Sequence, residues 1–290
     1  MHMLTSSTIQ PAERILENAK LAKERRKQLR SRPLRAIAAV NAAHIEQSVQ
    51  RGFARGGDEC ELQIWKRPMI ERNFISEARQ QLYDIDVEPY SVHIPNFYIN
   101  GRGKGEFGDE TKRLIDSLWL IYEFFEPKAV VMHPLESGLG DLVKNLNEVA
   151  SNLPPGMIFT LENIKERRSN LRNSGSVKEI RDAFGAAVPA GLGFCLDTTH
   201  VVSPGAGYAT ETVLGLIAAM GRDLGHMHIS DLRITSKAKE EHIPIGSGVL
   251  EWAAIKRKLV DIGYTGHLVV EYTMEHKHMV PEGIDFWNSL

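Results

Sequence analysis

The feature that most constrains the fold of this chain is a regular alternation of short, β-prone apolar runs with amphipathic segments of helical length. Eight such runs follow one another from Leu34 onward: LRAIAAV, CELQIW, YSVHI, KAVVMH, GMIFTLE, LGFCLD, GHMHIS and GHLVVEY. Strands that are separated by helical segments of about 10–15 residues predict βαβ units and a parallel sheet. Eight units in a stretch of about 250 residues predict an α/β fold, a single closed (β/α)8 TIM barrel, with an open doubly wound sheet as the alternative.

The segments between the strands have the apolar spacing of amphipathic helices. Helices are predicted over residues 42–55, 76–86, 109–125, 140–152, 176–184, 210–222 and 250–262. A chain of 290 residues is long enough for two ordinary domains, but no low-complexity linker or change of composition divides residues 34–290. We therefore predict one catalytic domain over residues 34–290.

The segment that precedes the first strand differs from the rest of the chain in its charge. Residues 11–35 contain nine Lys or Arg against three Glu, although the whole chain has a formal charge of −2. Because Ile15, Ala19 and Leu29 fall at helical spacing, residues 1–33 are predicted to form a basic amphipathic helical extension. This helix would either cover the bottom of the barrel or act as an arm that binds phosphate groups.

The overall composition limits the classes of protein that this chain can belong to. With 42% hydrophobic and 25% charged residues, the sequence is that of a globular protein. Its two cysteines, Cys60 and Cys195, are too few for a disulfide framework, so a reducing cytoplasm is the expected location. No stretch approaches the roughly 18 apolar residues of a membrane span, and no membrane partner is expected. The near-neutral charge argues against a uniformly basic protein but leaves room for a local nucleic-acid-binding face.

Most of the His, Asp and Glu residues embedded in the predicted strands occur where those strands end. The residues concerned are His93, His133, Glu162, Asp197, His200, His228 and Glu271. In a TIM barrel the carboxyl ends of the strands form the catalytic face. Each residue alone would be a weak signal, but burying so many charges at one rim would be prohibitive without a cation. The pattern therefore predicts a metal centre.

The types of side chain narrow the choice of metal. Imidazole and carboxylate ligands without cysteine suit zinc, manganese or iron, and exclude a zinc-finger type of site. With His242 included, the five candidate histidines are more than one tetrahedral ion needs, so two or more ions are expected if all of them bind. His226 shares a strand face with His228 and is expected to lie deeper in the barrel, whereas His267 is expected at the surface.

These motifs resemble the endonuclease IV-like branch of the xylose isomerase-like TIM barrels, a superfamily that includes the sugar-phosphate isomerases and epimerases. Four residues match the metal set that both branches share: Glu162 in LEN, Asp197 in LDTTH, His228 in HMHISD and Glu271 in VVEY. The resemblance extends in motif order over residues 34–275.

The additional ligands of endonuclease IV also have counterparts in this sequence. They are His93, His133 in His-Pro, His200 in DTTH, and Glu240 and His242 ahead of the IGSG motif. The resemblance implies three zinc ions: one held by His93, His133 and Glu162, a second by Glu162, Asp197, His228 and Glu271, and a third by His200, Glu240 and His242. The family usually has Asp at the position of Glu240.

Other motifs depart from endonuclease IV. The first-strand GxHxSxxGG motif, which helps to contact DNA in that family, is replaced by IAAVNAAHI. The glycine-rich turn after the fifth strand has become NIKERR, residues 163–168. The segments GVLEW and GYTGHLVVEY, in contrast, are similar to the sugar isomerase branch.

The resemblance therefore implies two possible enzymes. With three zinc ions, the chain would be a phosphodiester hydrolase acting on abasic-site DNA or a related phosphate ester, with Glu162, Glu271 and His200 as catalytic residues. Cationic side chains at the same rim would hold the phosphates: Arg102, Lys104, Lys165, Arg167, Arg168 and Arg172. Of the two enzymes, the predicted metal ligands favour the hydrolase.

With a single ion, zinc or manganese, the chain would instead be a sugar or sugar-phosphate isomerase or epimerase. Glu162 and Glu271 would exchange a proton at a carbon of a small sugar substrate, while His200 and His242 would hydrogen-bond its hydroxyl groups. A barrel that keeps the metal but serves as a binding protein is a third possibility.

Overall fold

A computed structural model describes residues 34–50, 58–66, 69–95, 110–134, 138–164, 171–185, 187–201, 208–235 and 239–290. Eight parallel strands close into a barrel, so the predicted TIM barrel is confirmed and the open sheet is excluded. The barrel strands are β1 (Ala36–Asn41), β2 (Glu59–Gln63), β3 (Glu88–His93), β4 (Ala129–Met132), β5 (Ile158–Glu162), β6 (Leu192–Asp197), β7 (Leu224–Ile229) and β10 (Leu268–Val270). The predicted extension over residues 1–33 lies outside the described residues.

The barrel is closed by parallel pairing of its first and last strands. Ala36 lies opposite Leu268, and Ala38 opposite Val270. Each of the eight apolar runs in the sequence contributes one barrel strand, because a strand that is covered on both faces must be largely apolar. The same register brings the carboxyl ends of all eight strands to one rim.

The helices of the described chain pack around the barrel. They are α1 (Ile45–Gln50), α2 (Arg72–Asp84), α3 (Glu110–Phe125), α4 (Leu139–Ser151), α5 (Ser174–Ala183), α6 (Ala209–Met220), α7 (Trp252–Asp261) and α8 (Val280–Ser289). Helix α2 begins four residues before the predicted start at residue 76, and Ile75 in this first turn is buried. Helix α8 was not predicted; its buried Trp287 donates a hydrogen bond from Nε1 to the Leu34 carbonyl oxygen at 2.7 Å.

A two-stranded antiparallel hairpin, also absent from the sequence prediction, follows β7 directly. Its strands are β8 (Asp231–Ile234) and β9 (Lys239–Ile243), and they pair only with each other in the described chain. The hairpin extends beyond the rim of the barrel and returns the chain to it at His242. No helix in the described ranges has the length and apolar character needed to cross a membrane.

The apolar core lies between the barrel and its helices, but part of the barrel interior is polar. Cys60 and Leu62 of β2 face the main apolar cluster, whereas Glu59, Glu61 and Gln63 alternate with them and are buried. Side chains in a strand point alternately to opposite faces, so these three polar residues share one face. The interior of a TIM barrel is usually filled with branched apolar side chains, and this strand is therefore a departure that bears on the site above it.

Candidate metal centre

The strand ends bring six of the predicted ligands together at one rim. His93, Glu162 and Asp197 are the last residues of β3, β5 and β6. His133 and Glu271 each follow a strand by one residue, and His228 lies near the end of β7. Parallel strands in a closed barrel deliver their carboxyl ends to the same face, which explains why residues so far apart in sequence converge.

Glu162 is the centre of the cluster. Its Oε2 lies 3.0 Å from His93 Nε2 and 3.0 Å from His133 Nε2. Its Oε1 lies 3.1 Å from His200 Nδ1 and 3.4 Å from His228 Nδ1. Burial alone would raise the pKa of Glu162, but the attraction of His133 and His228 outweighs it and holds the pKa well below its usual range. Glu162 is therefore a carboxylate that four imidazoles surround.

A second group of ligands lies beside Glu162. Glu162, Asp197, His228 and Glu271 offer ligand atoms that all lie within 4.8 Å of one another. His228 Nδ1 is 3.1 Å from Glu271 Oε2, and Gln63 Nε2 donates a hydrogen bond to Glu271 Oε1 at 2.8 Å. Burial would raise the pKa of Glu271, but His228 lowers it to about 2. Gln63, which the sequence did not single out, thus holds Glu271 in place.

A third group joins Asp197, His200 and His242. Asp197 Oδ1 accepts hydrogen bonds from the backbone N–H groups of Thr199 at 2.6 Å and of His200 at 3.0 Å, which folds the loop after β6 back on the strand. His242 Nε2 lies 3.3 Å from His200 Nε2. Burial disfavours the charged imidazole of His200, but Asp197 and Glu162 raise its pKa to about 10.

The residues fit a divalent metal ion. Each of the three groups supplies at least three imidazole or carboxylate ligand atoms within 4.8 Å of one another, which is the donor set of zinc, manganese or iron sites. Asp197 Oδ2 is buried and has no hydrogen-bond partner within the described part of the chain. A buried carboxylate oxygen without a donor is costly, and a cation would supply the missing partner.

One predicted ligand lies elsewhere. Glu240 forms an ion pair with Arg233 at 2.6 Å, and its side chain is 47% exposed. These two residues face each other directly across the β8–β9 hairpin, so the cross-strand pair directs the Glu240 carboxylate to solvent. Asp197 takes the position beside His200 and His242 that the resemblance assigned to Glu240.

Five of the six predicted phosphate-binding residues lie in parts of the chain that the structure does not describe: Arg102, Lys104, Lys165, Arg167 and Arg168. The sixth, Arg172, is half-buried and lies two residues before α5. The role of all six as phosphate ligands therefore stays a prediction.

Sequence reasoning missed a polar layer beneath the ligands. Glu61 of β2 is completely buried, and its Oε2 accepts hydrogen bonds from His226 Nε2 at 2.9 Å and His228 Nε2 at 3.2 Å. The expectation that His226 lies deeper than His228 agrees with this arrangement. The signal that could have revealed Glu61 is the period-two polar pattern of ECELQ, in which every second residue is polar.

The expected surface position of His267 is wrong. His267 is 1% exposed, its Nε2 lies 2.7 Å from Glu59 Oε2, and its ring stacks on Tyr90 at a centroid distance of 4.1 Å. His267 lies just before β10, near the amino-terminal end of the barrel. Its partner there is the buried carboxylate of Glu59, at the start of β2.

Comparison with known proteins agrees with this architecture. Residues 53–290 match the family model of the xylose isomerase-like TIM barrels, and the chain belongs to that family. An uncharacterized protein of Mycobacterium leprae (strain TN) is 22% identical over 276 residues, which cover 87% of this chain and 94% of that protein.

Solved structures of similar fold include sugar epimerases. A D-tagatose 3-epimerase-like protein superposes with a TM-score of 0.65 at 18% identity, covering 88% of this chain and 99% of the other. The D-psicose 3-epimerase from Clostridium cellulolyticum H10, solved with D-tagatose, gives 0.60 at 19% identity over 88% and 90% of the two chains. The IolI protein with a binding zinc atom gives 0.61 at 17% identity over 88% and 96%. At these identities the likeness shows a common fold.

Proposed function

We propose that this protein is a metal-dependent isomerase or epimerase that acts on a small ketose sugar or its phosphate. The observation that carries the proposal is the group formed by Glu162, Asp197, His228 and Glu271, in which the carboxylates of Glu162 and Glu271 both face Nδ1 of His228. The sugar epimerases among the structures of similar fold support the same class of reaction.

The two glutamates are suited to move a proton. The pKa values of Glu162 and Glu271 are both held low by the neighbouring imidazoles, so both groups are ionised at neutral pH, which is the form that can accept a proton. One carboxylate accepts the proton of the carbon next to the ketose carbonyl and later releases it to solvent, while the other takes up a proton from solvent and delivers it to the opposite face of that carbon. The reaction inverts one carbon centre and leaves the proton balance unchanged.

The same four residues would hold the metal. A divalent ion bound there, zinc or manganese, would polarise two adjacent oxygens of the sugar and so make the carbon–hydrogen bond more acidic. Gln63 keeps Glu271 oriented through its hydrogen bond to Oε1. In this proposal His200 and His242 hydrogen-bond the sugar hydroxyl groups.

An exposed aromatic ring at the mouth of the site supports a sugar substrate. Trp65 follows β2, its side chain is 48% exposed, and its ring lies 5.7 Å from the ring of His93. Exposed indole rings beside a polar cluster are suited to contact the apolar face of a ligand while the polar groups fix its orientation.

The proposal is tested by metal analysis and enzyme assay on one sample of gently purified protein. We expect one tightly bound ion per chain. We also expect epimerisation of a ketose such as D-tagatose, measured by chromatographic separation of the sugars. Glu162→Gln and Glu271→Gln should each lower kcat by about 10²–10⁴-fold. Glu148→Gln, which changes an exposed glutamate of α4, is the matched control and should leave kcat unchanged.

A second candidate is the trinuclear phosphate-ester hydrolase that the sequence motifs favoured. It has support from the two further groups, His93 with His133 and Glu162, and Asp197 with His200 and His242. Three zinc ions per chain together with nicking of an abasic-site duplex would overturn the isomerase proposal.

Substitution of His133 separates the two candidates by a different route. The hydrolase requires His133 as a ligand of its own ion, so His133→Gln should abolish hydrolysis. The isomerase uses the group around His228 and Glu271, to which His133 does not belong, and should lose less than about tenfold in kcat/KM. His278→Gln, at an exposed histidine, is the control.

A further inference from the structure

The polar layer below the proposed metal group is organised by a single carboxylate. Glu61 lies in the middle of β2 and is 0% exposed. Three donors converge on its Oε2: the hydroxyl group of Ser91 at 3.0 Å, His226 Nε2 at 2.9 Å and His228 Nε2 at 3.2 Å. These residues come from β2, β3 and β7, so the carboxylate links strands across the interior of the barrel.

The contact with His228 determines which nitrogen of that ring is available to the metal group formed with Glu162 and Glu271. An ionised carboxylate can only accept hydrogen bonds, so the Nε2 atom facing Glu61 must carry its hydrogen. In a neutral imidazole the other nitrogen then has the free lone pair. That nitrogen, Nδ1, points to the opposite side, where it lies 3.1 Å from Glu271 Oε2 and 3.4 Å from Glu162 Oε1.

We propose that Glu61 is a positioning residue that fixes the tautomer and orientation of His228, so that His228 binds the metal through Nδ1. This inference rests on the metal group of the proposed function. It assigns to the β2 carboxylate a role that Glu162 and Glu271 cannot fill, because both of them face the Nδ1 atom of the ring.

Two features separate this role from a general contribution to folding. The hydrogen bond from His228 to a carboxylate makes Nδ1 a stronger base and hence a better ligand. A second buried carboxylate on the same face of β2, Glu59, makes an equivalent pair with His267 at 2.7 Å. Glu59 lies two residues nearer the amino-terminal end of the barrel, and its histidine belongs to none of the groups that could hold a metal among the described residues.

The experiment compares Glu61→Gln with Glu59→Gln in the full chain. Both substitutions replace a buried carboxylate with an amide of nearly the same shape. After metal removal, the affinity for Zn²⁺ is measured by competition with a chromophoric chelator, and the Co²⁺-substituted protein is examined by its visible absorption spectrum. Loss of a carboxylate that orients a ligand histidine lowers metal affinity by about 10–100-fold. We expect that loss and a changed Co²⁺ spectrum in E61Q, and wild-type values within about threefold in E59Q.

The outcomes distinguish the failure of this inference from that of the proposed function. A wild-type chain that binds neither Zn²⁺ nor Co²⁺ would refute the metal group itself. A wild-type chain that binds both ions, alongside a folded E61Q chain of equal affinity and unchanged spectrum, would refute the role of Glu61 alone. An equal loss in E59Q and E61Q would also refute it, because the effect would then follow from any buried glutamate.

A further variant keeps the test decisive if E61Q does not fold. Glu61→Asp retains the negative charge but withdraws it from His228 by one methylene group. The Zn²⁺ affinity of E61D should fall at least threefold and its Co²⁺ spectrum should change, whereas wild-type affinity and spectrum in this variant would overturn the inference.

Discussion

Asp231 offers the most direct test of how the site is held in place. It follows β7 at the start of the hairpin, is completely buried, and accepts four hydrogen bonds. Its Oδ1 accepts from the backbone N–H groups of Leu232 at 2.9 Å and Leu250 at 3.1 Å. Its Oδ2 accepts from the Gly246 N–H at 3.0 Å and from Trp252 Nε1 at 2.9 Å. The carboxylate therefore ties the hairpin to the following loop and to the start of α7.

The substitution Asp231→Asn keeps the shape of the side chain but replaces one acceptor oxygen with an NH2 group. Whichever way the amide is oriented, two of the four donors face that NH2 group and lose their acceptor, and at least one of those two is buried. Each unsatisfied buried donor costs about 1–3 kcal/mol. We therefore expect D231N to lower the free energy of unfolding by about 2–6 kcal/mol, with a central value near 4 kcal/mol.

Urea unfolding followed by circular dichroism measures this loss. The control is Asp116→Asn on α3, where the carboxylate is 62% exposed and pairs with Lys112 four residues away; such a pair contributes about 0.3–0.5 kcal/mol. A loss below about 1 kcal/mol in D231N would refute the argument that the four donors depend on this carboxylate. Below its unfolding transition, D231N should also show a raised KM for the sugar, because the hairpin carries His242, which the proposed function assigns to the sugar hydroxyl groups.

Three further predictions concern the site and its surroundings. Burial raises the pKa of the Cys60 and Cys195 thiols, so a thiol reagent at pH 8 should label neither in the folded protein and both in urea; labelling of the folded chain would contradict the packing of β2 and β6. Trp65→Ala should raise KM for a sugar about threefold to tenfold with kcat nearly unchanged, while Trp119→Ala on the outer face of α3 should change neither constant. His242→Asn should lower kcat/KM at least tenfold with little loss of stability, because Asn tolerates the left-handed backbone of this residue, φ 55°; unfolding of the variant at room temperature would argue against this.

The strands and helices that the sequence predicted are those in which burial determines the pattern of apolar residues. Most barrel strands are short apolar runs, because both of their faces are covered, and β2 was recognised from the apolar residues that alternate with its polar ones. Helix α8 was missed because its sequence, VPEGIDFWNS, contains Pro and Gly and is only ten residues long. The β8–β9 hairpin was missed because DLRITSKAKEEHI is mostly polar, and its strands pair only with each other among the described residues.

Within the site, position along the strand was the reliable signal. Residues at strand ends are brought together by the topology alone, which is why His93, Glu162 and Asp197 could be grouped from the sequence. Glu240 could not be placed in this way, because it lies on a hairpin outside the barrel and its direction depends on a local partner, Arg233. Motif spacing identifies the segment that carries a ligand but does not determine which way each side chain in that segment points.

Glu61 shows that an alternating polar pattern in a strand does not always indicate a face exposed to water. Polar residues at every second position normally indicate a face turned to water, but β2 turns Glu59, Glu61 and Gln63 into the barrel, where Gln63 contacts Glu271 and Glu61 contacts His228. His228 thus lies between two layers of carboxylates, with one ring nitrogen committed to each. A change of charge in the lower layer must alter the ligand in the upper one, because a single imidazole ring connects them. The interior of a TIM barrel usually stabilises the strands through apolar packing; in this barrel it would also support the proposed metal site.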